Sequence, residues 1–230
     1  MKPLRVLIGG EATRTIASAF EARGHYALTA DFRPAQRPGP HHQGDWADVE
    51  GDGWDLAIFH RTCTFMANSG AKHIYVDRKK ACGLNEERWL EMGRHAWAFW
   101  DHMQNCPVRF AAWENPVMLG YAQLMIGKPH QTVQPWWFGS DEDGPDNVKK
   151  ATCWWVKGGL PKLKRTGTLD GSTARDEVFR MAPTKDPEDR RMARSNFTPG
   201  HAAAIADQWG AFVQAQIASE MQIDKTEAFG

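Results

Sequence analysis

Two residues in this sequence combine a reactive type with a setting that chemistry can use. Cys63 follows a short apolar run (residues 55–60, Asp-Leu-Ala-Ile-Phe-His), and Glu114 sits near the end of another (residues 109–116, Arg-Phe-Ala-Ala-Trp-Glu-Asn-Pro). Each run is too short for a helix and reads as a buried parallel strand that ends in a loop. Open parallel sheets gather ligands beyond the carboxyl ends of their strands, so the two loops are expected to face one site. A thiolate beside an acid can serve there as nucleophile and proton donor. Arg61, close to Cys63, supplies a cation that favours the thiolate. Taken singly, each residue has a plainer explanation: most lone cysteines are small buried hydrophobes, and Glu114 could cap a helix beginning after Pro116. The conjunction of the two strand ends is what favours chemistry.

The elements that must position this pair can be read in order. Residues 4–8 form a short apolar strand that breaks at Gly9 and Gly10, and residues 11–23 carry helical spacing through Ile16, Ala19 and Phe20. Gly24 stops that helix, and residues 26–30 make a second strand ending at Asp31. Strand, glycine turn, helix, strand and acid is the first half of a nucleotide-binding α/β sheet. Residues 33–44 are rich in Pro, His and Gly and read as a surface loop leading to Asp45; residues 73–83 are polar and charged and read as a mobile loop. Asn85 is placed to cap a helix running to about residue 105, with Glu86 and Glu87 in its first turn. On that helix Trp89, Met92, Ala96, Phe99 and Met103 fall three or four apart, and Leu90, Trp97 and Trp100 widen the apolar stripe, which predicts a core helix covering the sheet. Further helices are expected at 117–126 and 201–220, and further extended segments at 132–138 and 151–156.

Composition narrows the class. A chain of 230 residues can bury one large core, so one domain over 1–230 is expected, with an appendage around 158–194, where Gly, Pro and charge are frequent and periodicity is weak. Twenty-eight basic residues balance 28 acidic ones, which gives the whole molecule no electrostatic preference for nucleic acid or membrane. The distribution is uneven: residues 149–194 hold twelve Lys and Arg against six Asp and Glu, a basic stretch suited to phosphate contacts. Four cysteines without a Cys-x-x-Cys pairing and a start without a signal-peptide core point to a reducing cytoplasm; no run is long enough to span a bilayer. His41 and His42 have no companions at metal-ligand spacing, so no metal site is expected. Eleven tryptophans are many for this length; most are expected in the core.

Taken in order, Gly9-Gly10-Glu11, Asp31, Asp45, the Cys63 loop, Glu114-Asn115-Pro116, the Lys150-Ala151-Thr152 segment and residues 195–206 resemble the successive motifs of DNA (cytosine-5)-methyltransferases, in the compact form common in bacterial viruses. The resemblance covers nearly the whole chain; it implies a short substrate-recognition insertion around 158–194 and, if the chain is virus-encoded, a place in the host cell's cytoplasm. It implies a Rossmann-like class I S-adenosylmethionine-dependent methyltransferase fold, α/β, with a mostly parallel seven-stranded sheet and one antiparallel strand near 151–156. It also implies S-adenosyl-L-methionine as cofactor, bound by Gly9, Gly10, Glu11, Asp31 and Asp45 together with Asn196 and Thr198. DNA is the implied partner, with a cytosine flipped into a pocket lined by Arg61, Asn115, Pro116, Lys150 and Thr152. Cys63 would be the nucleophile and Glu114 the acid. Lys150 and Thr152, two apart on a strand, would share one face.

The sequence departs from the family at two places: the segment between residues 156 and 195 is shorter than in members with sequence-specific targets, and the loop before Cys63 differs. The family loop reads Pro-Pro-Cys, whereas Arg61 and Thr62 precede Cys63 here. Prolines stiffen a loop by fixing φ, so their absence removes one device for aiming the thiol. The alternatives are a catalytically altered or inactive homologue that still binds cofactor or DNA, and a modifier of free cytosine nucleotides, the latter favoured only by the short recognition segment.

Overall fold

The computed structural model describes residues 2–176 and 196–228, the last six of these as backbone. Nine strands and four helices follow one another along it. β1 (Arg5–Gly9), α1 (Thr15–Glu21), β2 (Tyr26–Asp31), β3 (His41–Gln43) and β4 (Leu56–His60) make the first half. β5 (Tyr75–Asp77), β6 (Cys82–Leu84), α2 (Glu86–Asn105), β7 (Ala111–Pro116), α3 (Gly120–Ile126), β8 (Gln131–Val133), β9 (Thr152–Lys157) and α4 (Pro199–Ala228) complete it.

Seven strands form one sheet in the order β3-β2-β1-β4-β7-β9-β8. From β3 to β7 every pairing is parallel, and β9 is inserted antiparallel between β7 and β8. Numbered within the sheet alone, the order is 3-2-1-4-5-7-6 with the seventh strand reversed. This is the Rossmann-like class I methyltransferase arrangement, as the sequence led us to expect.

Alternation along the strands divides the core in two. Val6, Ile8, Leu56, Ile58, Ala112 and Trp154 face α1 and α4, whereas Leu7, Ala57, Phe59, Ala111, Trp113 and Trp155 face α2 and α3. The last helix packs along α1, and its Trp209 indole donates to the Pro161 carbonyl at 2.9 Å. Asp146 caps it by accepting from the Gly200 amide at 2.9 Å.

Several elements differ from the sequence reading. Helix α1 starts at Thr15 rather than residue 11, because Arg14 sits in the left-handed region (φ 56°) and the Glu11 side chain turns back to accept from the Ile16 amide at 2.7 Å. The fully buried Arg14 also reaches Glu21 (2.5 Å), Thr29 and the carbonyls of Pro38 and Pro40, which ties the loop before β3 to α1. The expected surface loop at 33–44 ends in the short edge strand β3, and the expected irregular stretch at 73–83 is largely the β5–β6 hairpin, its turn held by Asp77 accepting from the amides of Lys79 and Lys80. Asn85 caps α2 as expected, accepting from the Arg88 amide at 3.1 Å. Met92, Ala96 and Phe99 are buried, but Leu90, Trp97 and Trp100 face solvent, so the buried stripe is narrower than the apolar one. Residues 177–194 of the expected insertion at 158–194, with their basic residues, lie outside the described residues, as does Ser195 at the head of the last motif. No helix among the described residues is long and apolar enough to cross a membrane.

Candidate active site

β4 and β7 are neighbours in the sheet, and their register sets His60 opposite Glu114. Both side chains lie on the α1/α4 side, where the His60 Nδ1 and a Glu114 carboxylate oxygen are 3.3 Å apart. A carboxylate partner requires Nδ1 to carry a proton; in the neutral ring the other nitrogen is then an acceptor, in the charged ring a second donor. That nitrogen, Nε2, is buried and meets no partner among the described residues.

The two loops beyond these strands are joined to one another. Fully buried Asn115 donates from its amide nitrogen to the Arg61 carbonyl at 3.0 Å. Further along, the Asn68 amide donates to the Val117 carbonyl at 2.8 Å and the Leu119 amide to the Met66 carbonyl at 2.7 Å. Between them, the Cys63 carbonyl accepts from the amides of Met66 and Ala67 at 3.0 and 2.9 Å. Hydrogen bonds to the neighbouring loop therefore restrain the Cys63 loop in the place of prolines. The thiol itself is half-buried and part of no disulfide.

The sequence sets Arg61 two residues before the thiol as a nearby cation. Its guanidinium lies on the α2 side of the sheet, the side away from His60 and Glu114, where Nη1 donates to His102 Nδ1 at 2.8 Å and the group lies 5.5 Å over the Trp46 ring. His102 Nδ1 also accepts from the Trp113 indole at 3.1 Å, and Nε2 donates to Glu50 at 2.7 Å. Glu50, His102 and Cys106 bring three possible ligand atoms within 4.8 Å of one another, yet they are poorly made for a metal. A metal on Nε2 would require Nδ1 to carry a proton, and Nδ1 faces two donors. Burial and the adjacent Glu50 carboxylate push the Cys106 thiol up to about 12, away from the thiolate a metal needs. Burial works to raise the Glu50 carboxyl, but hydrogen bonds from His102 and Cys106 outweigh it and hold the group below its ordinary value. This network joins the loop at Glu50, the Cys63 loop and α2; the sequence reading missed it because its members come from distant segments with no motif in common.

Around the β1 turn the expected cofactor residues are placed as follows. Gly10 has φ +81°, and a Cβ there would collide with the His60 carbonyl, so glycine is needed for the turn to approach the end of β4. Its amide donates to the Ala30 carbonyl at 2.6 Å, which brings Asp31 alongside. Asp31 is almost buried, and Arg33 grips both its oxygens at 3.0 Å. Burial raises the Asp31 carboxyl, but the bonds from Arg33 overcome it and the group stays below its ordinary value. Glu11, 5% exposed, serves the amides of Ile16 and Ala17; burial raises its carboxyl against the opposing charge of His60 and those amides. Asp45 is exposed and caps the short turn at Trp46–Asp48 through the Ala47 amide, 3.1 Å.

Lys150 and Thr152 do not share a strand face as expected, because β9 begins at Thr152. Thr152 is buried opposite Pro116 and donates to the Lys150 carbonyl at 3.1 Å. The Lys150 ammonium reaches the Asn196 carbonyl at 2.8 Å and lies 5.2 Å over the Phe197 ring. Phe197 fills an aromatic enclosure, with ring centroids 5.0 Å from His60, 4.9 Å from His201 and 5.9 Å from Trp154. The sequence reading singled out neither Phe197 nor His201. Beside them, Thr198 Oγ1, Trp154 Nε1 and His201 Nε2 are buried polar atoms with no partner among the described residues. Burial, with Lys150 and His60 nearby, holds His201 well below the usual imidazole range.

No protein-family model matches this sequence, and no curated protein matches it. Among solved structures it is similar to WbdD, in a co-crystal with the kinase inhibitor LY294002 and in a second crystal structure, in each case with 14% identity and a TM-score of 0.33. Each likeness covers 68% of this chain and 36% of that chain, so this chain spans about a third of WbdD.

Proposed function

We propose that this protein transfers a methyl group from S-adenosylmethionine to C5 of cytosine in DNA, with Cys63 as nucleophile and Glu114 as acid. The observation that carries the reading is the joining of the Cys63 and Glu114 strand ends, through His60–Glu114 and Asn115–Arg61, at the carboxyl edge of a sheet with the methyltransferase strand order. Cytosine C5 is a weak nucleophile. Addition of the Cys63 thiolate to C6, with Glu114 giving a proton to N3, turns the ring into an enamine whose C5 can take the methyl group. Loss of the C5 proton to solvent water, expulsion of the thiolate and return of the N3 proton to Glu114 then restore the aromatic base. The flipped base would meet Asn115, Pro116, Lys150 and Thr152, while Arg61 holds the loop from the far side through His102.

The residues around the β1 turn fit the cofactor. A side-chain-free turn at Gly9 and Gly10, the Asp31 carboxylate beside it, Asp45 on the next loop and the unsatisfied Thr198 hydroxyl offer acceptors and donors for a nucleoside carrying an amino acid. Glu11 supports this turn from within by capping α1, and Asn196 contributes through its carbonyl to Lys150. When bound, S-adenosylmethionine supplies an electrophilic methyl group on a sulfonium.

A second reading, a non-catalytic homologue that retains binding, is favoured by one observation: the Asp31 carboxylate is already gripped by Arg33. Incubation with methyl-labelled S-adenosylmethionine and, separately, DNA or cytosine nucleotides decides between the readings. Label in DNA supports the first, label in the nucleotide moves the substrate to the free nucleotide, and binding of either ligand without transfer supports the second.

A further inference from the structure

We propose that His60 is a positioning residue for Glu114, an inference that rests on the assignment of Glu114 as the acid and adds a residue to it. The His60 ring is itself packed against Phe197, centroids 5.0 Å apart, with Trp154 edge-on at 6.5 Å, while the His60 carbonyl and Cβ lie against Gly10 of the β1 turn. Its Nδ1–H engages Oε2 of Glu114 at 3.3 Å, and both side chains are only about one-eighth exposed (12% and 13%). Among the described residues this is the one side-chain hydrogen bond that the Glu114 carboxylate makes, so His60 decides which oxygen is taken and which is presented. Oε2 is clamped; Oε1 is left for the ring nitrogen of a base. The charged and titratable groups around His60 are Glu114 from β7, Glu11 from the β1 turn, and His201 with Lys150 from the α4 side. None of the others is bonded to His60, which leaves Glu114 as its partner.

An acid that is free to rotate samples several orientations, and a displacement of about 1 Å from the productive one costs on the order of 10²-fold in rate. The clamp needs a donor at the Nδ1 position and nothing else of the imidazole. Asparagine places its amide nitrogen close to where histidine carries Nδ1, whereas alanine supplies no donor.

The test compares His60→Asn and His60→Ala in the full chain, with folding checked by thermal denaturation. Methyl transfer to DNA is expected to fall about 10–100-fold in kcat for His60→Ala, with KM for DNA and for S-adenosylmethionine within about threefold of wild type, and to recover most of that loss in His60→Asn. Equal losses in both variants, or a loss carried by KM, would mean that the ring is only packing; an unaffected alanine variant would likewise overturn the proposal. Should the wild-type protein transfer no methyl group, the reading of Glu114 as an acid fails, and the clamp is judged separately by ¹⁵N NMR of the imidazole. The clamp requires the Nδ1–H tautomer in wild type and its loss in Glu114→Ala, and a dominant Nε2–H tautomer in the wild-type protein would refute it.

Discussion

Asn115 holds Arg61: its side-chain nitrogen donates to the Arg61 carbonyl at 3.0 Å, and that bond joins the residue after the acid to the loop that carries Cys63. Asn115 is fully buried, so its loss leaves a carbonyl without a partner as well as a small cavity. Asn115→Ala should destabilise the protein by about 1–3 kcal/mol. Urea denaturation measures this, and the same variant should show faster hydrogen exchange in the Cys63 loop than at β1. A stability within about 0.5 kcal/mol of wild type would mean that the loop is held by other contacts.

The four cysteines are predicted to separate by environment. Cys82 is exposed and Cys63 half-buried, while Cys106 is buried with its thiol pushed up to about 12 and burial also raises Cys153. Since the thiolate is the species that reacts, brief alkylation at neutral pH should label Cys82 and Cys63 and spare the other two until denaturant is added. Peptide mass spectrometry reads the result. Labelling of Cys106 as fast as Cys82 in the folded protein would refute the network drawn around Glu50 and His102.

Glu11 offers a test by pH. Burial is the largest influence on it and raises its carboxyl above the ordinary 4.5, against the opposing effects of His60 and the α1 amides. A raised carboxyl favours the fold while neutral, so its contribution is complete below about 4.5 and is lost as pH rises through the folded value. Glu11→Gln removes that loss. The stability of the variant relative to wild type should therefore increase from pH 4.5 towards neutrality, and denaturation midpoints taken between pH 4 and 8 will show it. A difference independent of pH would mean that the folded protein holds Glu11 like a solvated carboxylate.

Much of this architecture was legible because the parallel strands are apolar runs closed by Gly, Asp or His, as at Gly9, Asp31 and His60, and such runs fit little else. Asn85 announced α2 through its capping chemistry. What escaped was set by context. β3 is polar (His41, His42, Gln43) and is a strand only because β2 offers it a free edge, through pairs such as Thr29 with His41. Period alone could not tell that Trp97 and Trp100 point away from the sheet, since an apolar stripe wider than the contact it makes looks the same in one dimension. The site divides likewise: Cys63 and Glu114 could be picked out by position on strand ends, whereas the His60 clamp and the Arg61–His102 bond depend on register and on which face of the sheet each side chain takes.

Asp31 should contribute directly to cofactor affinity. Its carboxylate has about four lone-pair positions, and Arg33 does not exhaust them, so ribose hydroxyls can still be accepted. Asp31→Ala should weaken S-adenosylmethionine binding by roughly 1.5–3 kcal/mol, the range for hydrogen bonds to a charged group. Calorimetry checks this. Unchanged affinity would remove Asp31 from the cofactor site and leave it as the partner of Arg33.

The covalent step has the sharpest test. On DNA containing 5-fluorocytosine, the Cys63 thiolate can add to C6 and C5 can accept the methyl group, but fluorine cannot depart as the C5 proton does. Elimination of the thiol is then blocked, and the sulfur–C6 bond persists as a protein–DNA adduct that survives denaturing electrophoresis. The adduct should require both S-adenosylmethionine and the thiol, and so disappear in Cys63→Ala. Glu114→Gln should slow its formation on the order of 10²-fold or more, because an amide cannot give N3 a proton. Asn115→Ala should slow it less, acting through loop position and base contact and not through proton transfer. Cys63→Ala that still forms an adduct would transfer the nucleophile's role to another residue. If wild type forms none while S-adenosylmethionine binding is measurable, the protein is a binding homologue; hydrogen bonds from Asn115 and the loop at 117–119 would then hold the Cys63 loop in a conformation that the family's two prolines would have changed.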